Sequence, residues 1–216
     1  MSRDRSTKAI DYIRNLFVKE SSLHEEIRQS LDADGKLGIN VDSYEGGLLK
    51  FLVQLTKAQT VLEIGTLYGY STLWFAEALP ANGRVISLEK SEEHYEKAKA
   101  LLQKSELNSK IDLQCGDALE LLKEVKFQPD FIFIDADKGG YGAYLDWAME
   151  HVAPGGLIVG DNTFLFGHVY GEPWMEKTTK KAKDSMNYFN ETLASNSNFR
   201  SIMLPTVEGM TIAQKL

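Results

Sequence analysis

Apolar residues recur at helical spacing in the first part of the chain. Between residues 7 and 32 they predict two helices, and the positions are Ile10, Ile13, Leu16 and Phe17 on one face and Leu23, Ile27 and Leu31 on another. A third helix is predicted over 44–59, with buried leucines at Leu48, Leu49, Leu52 and Leu55. Asp34-Gly35 and Gly38 interrupt the helical pattern. We therefore interpret residues 1–43 as an N-terminal helical cap, not as a separate domain.

Short apolar runs then alternate with helical patterns. The predicted strands are 60–64, 84–88, 110–114, 130–135 and 156–160. The helical patterns between them cover 71–79, 91–105, 118–123 and 140–152. This alternation is typical of βαβ units, whose right-handed crossovers place helices on both faces of a parallel sheet. We expect a doubly wound, Rossmann-like α/β fold.

The last part of the chain has a different pattern. Residues 163–181 show no clear period and contain the aromatic side chains Phe164, Phe166, Tyr170 and Trp174, so we interpret them as an insertion loop on the substrate side. A helix is predicted over 183–194, and two short runs at 199–204 and 210–213 flank a turn, which predicts a β-hairpin. The fold is then a mostly parallel, seven-stranded sheet with an antiparallel C-terminal hairpin, in a single domain over 1–216.

Composition and charge exclude some classes of function. The 216 residues suffice for one sizeable core, and 43% hydrophobic with 25% charged residues is ordinary for a globular protein. A net charge of -7 argues against nucleic-acid binding through bulk charge, although lysines 177, 180, 181 and 183 leave a local basic patch open. The only cysteine, Cys115, excludes an internal disulfide and is predicted to be packed. Without a membrane-length apolar run or a signal-peptide pattern, we expect a cytoplasmic protein.

The predicted parallel strands end in acids or amides, and these are the first candidates for chemistry. They are Glu63, Glu89, Asp117, Asp135 and the pair Asp161-Asn162. In an open α/β sheet the carboxyl ends of the strands form one rim, where ligands bind. An acid such as Glu89 at the end of the second strand commonly holds ribose hydroxyls. A single acid can equally be a helix cap, and Asp117 suits both roles.

The loop after the first strand narrows the choice of cofactor. Gly65-Thr-Leu-Tyr-Gly69 has two glycines four residues apart, and Gly65 lets the backbone come close to a ligand. It lacks the G-x-G-x-x-G spacing that dinucleotide enzymes use. Glu63, just before Gly65, would repel a phosphate. The loop therefore favours a cationic ligand without phosphate.

A metal site and a base are predicted across the rim. Asp135 and Asp161-Asn162 end strands that should be neighbours, and their oxygens suit Mg²⁺, Mn²⁺ or Ca²⁺ better than zinc. Lys138 follows Asp135 by three residues, and a lysine beside a cation can act as a general base. The simpler interpretation is a surface lysine paired with Asp137.

Taken in order, these motifs resemble those of class I S-adenosylmethionine-dependent methyltransferases. More narrowly, the stretches 61–71, 116–119, 133–138, 160–162 and the closing Met-Leu-Pro…Glu-Gly-Met-Thr-Ile are similar to the cation-dependent O-methyltransferases, which include catechol and caffeoyl-CoA enzymes. The resemblance implies a phenolic small-molecule acceptor, S-adenosylmethionine, a divalent cation, most simply Mg²⁺, and a homodimer.

The resemblance also implies residue roles. The cofactor residues it indicates are Val41 and Glu45 at the pocket edge, Glu63, Gly65, Thr66 and Ser71 at the methionine end, Glu89 at the ribose, Asp117 and Ala118 at the adenine, and Asp135. Metal binding is assigned to Asp135, Asp161 and Asn162. Lys138 is the base, and Asp135 belongs with it to the catalytic residues.

Three functions remain open from the sequence. The first is an O-methyltransferase acting on a catechol or caffeoyl-type phenol. The second is a methyltransferase of hydroxylated uridine in transfer RNA, which the acidic balance disfavours. The third is a nicotinamide-binding Rossmann protein with acidic strand ends, and it alone predicts nicotinamide binding.

Overall fold

A computed structural model describes residues 7–175 and 177–216 of the chain. The helices are α1 (Thr7–Phe17), α2 (Ser22–Ala33), α3 (Ser43–Leu55), α4 (Tyr70–Ala78), α5 (Glu92–Leu102), α6 (Ala118–Leu122), α7 (Tyr141–His151) and α8 (Lys180–Ser195). The strands are β1 (Thr60–Ile64), β2 (Arg84–Glu89), β3 (Ile111–Cys115), β4 (Phe131–Ile134), β5 (Leu157–Gly160), β6 (Phe199–Leu204) and β7 (Met210–Lys215). Each predicted element is present, with ends that differ by a few residues.

The seven strands form one sheet in the order β3-β2-β1-β4-β5-β7-β6. The first five strands are mutually parallel, while β7 runs antiparallel to both β5 and β6. Strand order reverses between β1 and β4, and in such sheets this reversal opens a crevice at the carboxyl ends of the strands. The predicted doubly wound α/β fold with a C-terminal hairpin is confirmed.

Both faces of the sheet are covered, which explains why the central strands β4 and β5 are continuously apolar and buried. Val61, Phe131 and Phe133 face one core, to which α2, α3, α4 and α5 contribute. Leu62 and Ile132, which point the other way, pack with residues of α7 and α8 in a second core. The alternation follows from the two-residue period of a strand. The carboxyl ends of β1 and β4 are thus held in place by packing on both faces of the sheet.

Several details of the sequence prediction are wrong. Helix α3 ends at Leu55, not at residue 59, and the Leu55 side chain is 64% exposed because it lies at the helix end. Cys115 is exposed, since it ends the edge strand β3. On α1, Leu16 and Phe17 are exposed, so its apolar face is not covered within the described chain. Residues 1–6 of the predicted cap and residue 176 of the insertion loop lie outside the described residues.

Across residues 7–175 and 177–216, no helix is long and apolar enough to cross a bilayer.

Candidate functional site

A cavity of about 480 Å³ opens at the carboxyl ends of β1, β2 and β4. Most of the predicted site residues line it, namely Val41, Gly65, Thr66, Ser71, Glu89, Ala118, Asp135, Lys138 and Asn162. They come from six separate segments of the chain, so the strand ends converge as expected.

Gly65 allows the turn after β1 to pack against the end of β4. Its φ angle is +101°, a left-handed value that residues with a Cβ rarely adopt. A Cβ at this position would lie 2.1 Å from the carbonyl oxygen of Asp135. The Gly65 amide donates to the Leu88 carbonyl at 2.9 Å. The glycine therefore brings the ends of β1, β2 and β4 together under the cavity.

Glu89 is held in the cavity wall by backbone amides. Its Oε2 accepts hydrogen bonds from the Thr66 and Leu67 amides at 3.2 and 2.8 Å, and its Oε1 accepts from the Ser91 amide at 2.8 Å. A carboxylate fixed by three amides is already oriented, so little conformational entropy is lost when a ligand binds to it. It can accept further hydrogen bonds from a polyol.

Glu63 lies behind the cavity wall and is fully buried. Three hydroxyl groups, those of Ser71, Thr72 and Ser87, donate to its carboxyl oxygens at 2.5 Å. Burial raises the pKa of Glu63 to about 7, against the opposing effect of these hydrogen bonds. Glu63 thus holds the Ser71 side chain, and the cavity lining contains Ser71 rather than Glu63.

Asp117 caps α6, the simpler of its two predicted roles. Its side chain accepts from the Leu119 amide at 3.0 Å and from Lys90 Nζ at 2.9 Å. The Lys90 hydrogen bond keeps the Asp117 pKa below its ordinary value. Ala118, the next residue, lines the cavity and Asp117 does not. Direct cofactor contacts by Glu63 and Asp117 stay predictions.

Lys138 is fixed between an acid and a phenol. Its Nζ donates to Asp135 Oδ1 and to the Tyr141 hydroxyl oxygen, both at 2.9 Å. Burial lowers the Lys138 pKa, but Tyr141, Asp135 and Asp161 outweigh it and raise the pKa above its ordinary value. Asp137, the partner expected for a surface lysine, instead accepts from the Tyr144 hydroxyl at 2.7 Å.

Asp161 and Asn162 follow β5 beside this lysine. The Asp161 side chain is nearly inaccessible, and its Oδ1 accepts from the Asn162 amide at 2.8 Å. Burial, followed by the charges of Asp135 and Glu45, raises the Asp161 pKa well above its ordinary value. Glu45 itself is buried where it closes the capping box of α3, accepting from the Asp42 amide at 2.9 Å.

The donor set fits a hard divalent cation. Asp135, Asp161 and Asn162 offer two carboxylates and an amide oxygen, and the two carboxylates repel each other in a buried place, which a cation would relieve. Over residues 7–175 and 177–216, no three His, Cys, Asp or Glu side chains cluster closely enough to form a metal site alone. A cation here would therefore depend on Asn162 and on water or substrate oxygens.

A second cavity, of about 610 Å³, adjoins the first. Its lining includes Asp161 after β5 and Glu45 on α3, together with Arg14 and Arg28 from the N-terminal helices. The two cavities share the residues Gly38, Ile39, Asn40, Val41, Asn162 and Glu208. Both volumes fall within the roughly 300–1,000 Å³ of small-molecule pockets. A cofactor and an acceptor could thus meet at Asn162.

The sequence analysis missed four residues of the site. Glu208 belongs to both cavities, and its Oε2 is buried without a hydrogen-bond partner among the described residues. Its position in the closing Glu-Gly-Met-Thr motif was the available signal. Tyr141 lies three residues after Lys138, a spacing that brings side chains together on a helical turn. Arg14 and Arg28 carried no sequence signal, because only tertiary packing brings α1 and α2 to the rim.

Parts of the insertion loop reach the first cavity. Phe166 and Met175 line it, whereas Tyr170 and Trp174 are about half exposed, with ring centroids 6.3 Å apart. Phe164 packs against Gly209 and holds the loop on the β6–β7 turn. The loop aromatics therefore divide between the cavity and the packing of the loop itself.

Comparison with known proteins agrees with this geometry. A family model described as O-methyltransferase matches residues 15–216. The chain is 36% identical to a catechol O-methyltransferase of Niastella koreensis, over 94% of both chains. It is 34% identical to caffeoyl-CoA O-methyltransferase 1 of Arabidopsis thaliana, over 94% of this chain and 81% of the relative.

Solved structures give the same result. An O-methyltransferase from Bacillus cereus in complex with SAH superposes with a TM-score of 0.88 at 33% identity, covering 97% of this chain and 98% of that one. The O-methyltransferase TomG from Streptomyces achromogenes, in complex with SAM, superposes with a TM-score of 0.87 at 28% identity. The match covers 100% of this chain and 99% of that one. The family indicated by the motifs is confirmed: the chain belongs to the O-methyltransferase family of S-adenosylmethionine-dependent enzymes.

Proposed function

We propose that this chain moves the methyl group of S-adenosylmethionine to one of two adjacent hydroxyl groups of a small catechol-type phenol. In this proposal a divalent cation binds to Asp135, Asp161 and Asn162. Lys138 acts as the general base. The observation that supports it is that the two cavities share Asn162, so that a cofactor in one cavity and an acceptor in the other would lie on either side of the predicted metal residues.

The first cavity suits the cofactor. Glu89, fixed by three amides, would accept the ribose hydroxyls, and Ala118 would lie beside the adenine. The Ser71 hydroxyl would contact the methionine end, next to the backbone of Gly65 and Thr66. Glu63 supports this end by holding Ser71 in place. Relatives seen in complex with SAM and SAH support the assignment.

The second cavity would hold the acceptor. When bound, a divalent cation supplies Lewis acidity that makes a hydroxyl proton easier to remove. Lys138 Nζ donates to Asp135 Oδ1 at 2.9 Å, which holds it beside the residues proposed to bind the cation, and it can act as the base only after its own pKa falls and it loses its proton. The carboxylates of Asp135 and Asp161, which raise the Lys138 pKa, are those that a cation would neutralise. The residues at the junction then orient the acceptor oxygen toward the methyl group, and orientation is a large part of the rate.

A methyl-transfer assay with labelled S-adenosylmethionine tests the function. Catechols and bulk transfer RNA are offered as acceptors, with Mg²⁺ and with a chelator. We expect label in catechols only, and its loss with the chelator. Asp161→Ala and Lys138→Ala should each lower turnover more than about a hundredfold, while the Kd for S-adenosylmethionine changes little.

The opposite outcomes are equally clear. Full activity with the chelator would exclude the cation. Label found only in RNA would favour the transfer-RNA alternative, for which the exposed lysines 177, 180, 181 and 183 are the supporting observation. Tight nicotinamide binding without S-adenosylmethionine binding would exclude the cofactor assignment.

A further inference from the structure

The second cavity contains two guanidinium groups that the methyl transfer itself does not need. Arg14 lies on α1 and Arg28 on α2, and both line the cavity that also contains Asp161 and Asn162. An acceptor whose hydroxyls lie near Asp161 can therefore meet an arginine elsewhere in the same cavity. Whether either arginine can bind it depends on the partners that the side chain already has.

Arg14 is occupied by the protein. Its Nε donates to Asp42 Oδ1 at 3.0 Å, a terminal nitrogen contacts the other oxygen of Asp42, and Nη1 donates to Asp11 at 3.1 Å. Hydrogen bonding to Asp42 raises the Arg14 pKa above its ordinary value. A ligand anion would have to displace these aspartates. Arg14 therefore joins α1 to α3 and is not a free anion site.

Arg28 has much less protein contact. Its Nε lies 3.0 Å from Glu20 Oε1, but the N–H does not point at that oxygen, and Nε is buried without a hydrogen bond. The same oxygen accepts from the Tyr70 hydroxyl at 2.6 Å, which anchors Glu20 independently of Arg28. Within the described part of the chain, neither terminal nitrogen of Arg28 donates a hydrogen bond. The side chain is 40% exposed, so these nitrogens can be reached.

We propose that the acceptor carries a carboxylate at the end of the molecule away from its adjacent hydroxyls, and that Arg28 binds this carboxylate. A guanidinium binds a carboxylate through two parallel hydrogen bonds, which gives orientation as well as affinity. A dihydroxybenzoate or dihydroxycinnamate has the required arrangement. The inference rests on the proposed function, because it concerns the acceptor of that same reaction.

An acceptor with an ammonium group is the main competitor, since acids also line this cavity. Asp42 is bound to Arg14, and Glu20 is shared between Tyr70 and Arg28. Glu208 belongs to both cavities, so it lies at the reacting end and not at the far end of an acceptor. Of the two arginines that line this cavity from α1 and α2, Arg28 is thus the one whose terminal nitrogens donate no hydrogen bond within residues 7–175 and 177–216.

The test compares three acceptors that share one reacting group: catechol, 3,4-dihydroxybenzoate and dopamine. With Mg²⁺ and S-adenosylmethionine, kcat/KM for the carboxylate should exceed that for catechol by about tenfold, and dopamine should not exceed catechol. Arg28→Gln should bring the carboxylate-to-catechol ratio close to one. Arg28→Lys keeps the charge but loses the fork, so its ratio should lie between those two values.

Arg14→Gln is the matched control, because it removes the same charge from the same cavity at a residue already paired with aspartates. Its carboxylate-to-catechol ratio should stay within about twofold of the wild-type value. An equal loss in Arg14→Gln and Arg28→Gln would overturn the assignment of Arg28. A preference for dopamine, or no preference in the wild-type protein, would overturn the carboxylate itself. If none of the three acceptors is methylated, the proposed function fails as well, so the two failures are distinguishable.

Discussion

At the scale of single residues, Glu63 shows how a buried acid can hold another residue of a candidate site in place. It is buried at the end of β1 and joins the hydroxyls of Ser71, Thr72 and Ser87, which come from α4 and β2. Four side chains from three elements thus share one hydrogen-bond network. Ser71 alone among them lines the first cavity, which we propose for the cofactor.

The Glu63 pKa predicts a pH dependence of stability. Burial raises the pKa from 4.5 to about 7, so the folded state favours the protonated form. The stabilising contribution of Glu63 to the free energy of unfolding is fully present below pH 4.5 and is lost as pH rises through 7. Glu63→Gln removes this titration. The difference in free energy of unfolding, variant minus wild type, should therefore increase by on the order of 2–3 kcal/mol between pH 5 and pH 8.

Urea unfolding without cofactor measures this difference. Glu120→Gln, at an exposed position on α6, serves as the control for the change in net charge. A difference between wild type and Glu63→Gln that stays constant from pH 5 to pH 8 would contradict the pKa argument.

At the scale of elements, the turn between β1 and α4 is the critical connection. Gly65 packs on the end of β4 with φ +101°, and Gly69, also left-handed, begins α4. The turn lines the first cavity with Gly65, Thr66 and Leu67, and it also sets the distance between neighbouring strand ends. Its geometry therefore matters both for stability and for cofactor binding.

Gly65→Ala tests this packing against a matched glycine. Its Cβ would meet the Asp135 carbonyl at 2.1 Å, so backbone strain and a steric clash act together, and we expect a loss of about 3 kcal/mol or more in the free energy of unfolding. Gly155→Ala has a left-handed φ of +78° but no atom within 4 Å of its Cβ, and it should lose only about 1 kcal/mol.

Chemical unfolding of both variants gives the comparison, and titration with S-adenosylmethionine follows binding. Equal losses in the two variants would show that the left-handed backbone, and not the contact with β4, determines the effect.

At the scale of the whole molecule, the fold brings several acidic side chains together at the carboxyl ends of the strands, and they outnumber the basic groups beside them. Asp161 is buried near Asp135 and Glu45, and Lys138 is the cation that offsets them. Folding therefore includes an electrostatic cost that a bound cation would reduce. The homodimer remains a prediction from the family resemblance, and the exposed Leu16 and Phe17 on α1 are compatible with it.

A thermal-unfolding experiment tests this repulsion without measuring activity. Mg²⁺ at tenfold excess over its Kd should raise the unfolding midpoint by about 3–5 °C, since ligand binding stabilises only the folded state. Asp161→Asn should lose this shift, yet without Mg²⁺ it should unfold at a higher temperature than the wild type because a buried like charge is gone. An equal Mg²⁺ shift in both proteins would argue against Asp161 as a ligand.

Much of the fold was predictable because its signals are local. Strands such as β1 and β4 are short apolar runs, and the glycine loop after β1 has the spacing of a strand-to-helix turn. The prediction of burial was wrong at the ends of elements. Leu55 ends a helix and Cys115 ends an edge strand, and these positions leave both side chains exposed. Periodicity reports which face a residue lies on and not what covers that face.

The sequence by itself determined the parallel sheet, the closing hairpin, the glycine loop after β1 and the acids at the strand ends, because each depends on neighbouring residues in the chain. Only the tertiary structure decided which of these residues line the cavities. It turned Glu63 inward to the hydroxyl groups of Ser71, Thr72 and Ser87, and it brought Arg28 from α2 into the cavity that Asp161 lines. These outcomes depend on contacts between segments far apart in sequence, and no local pattern encodes them.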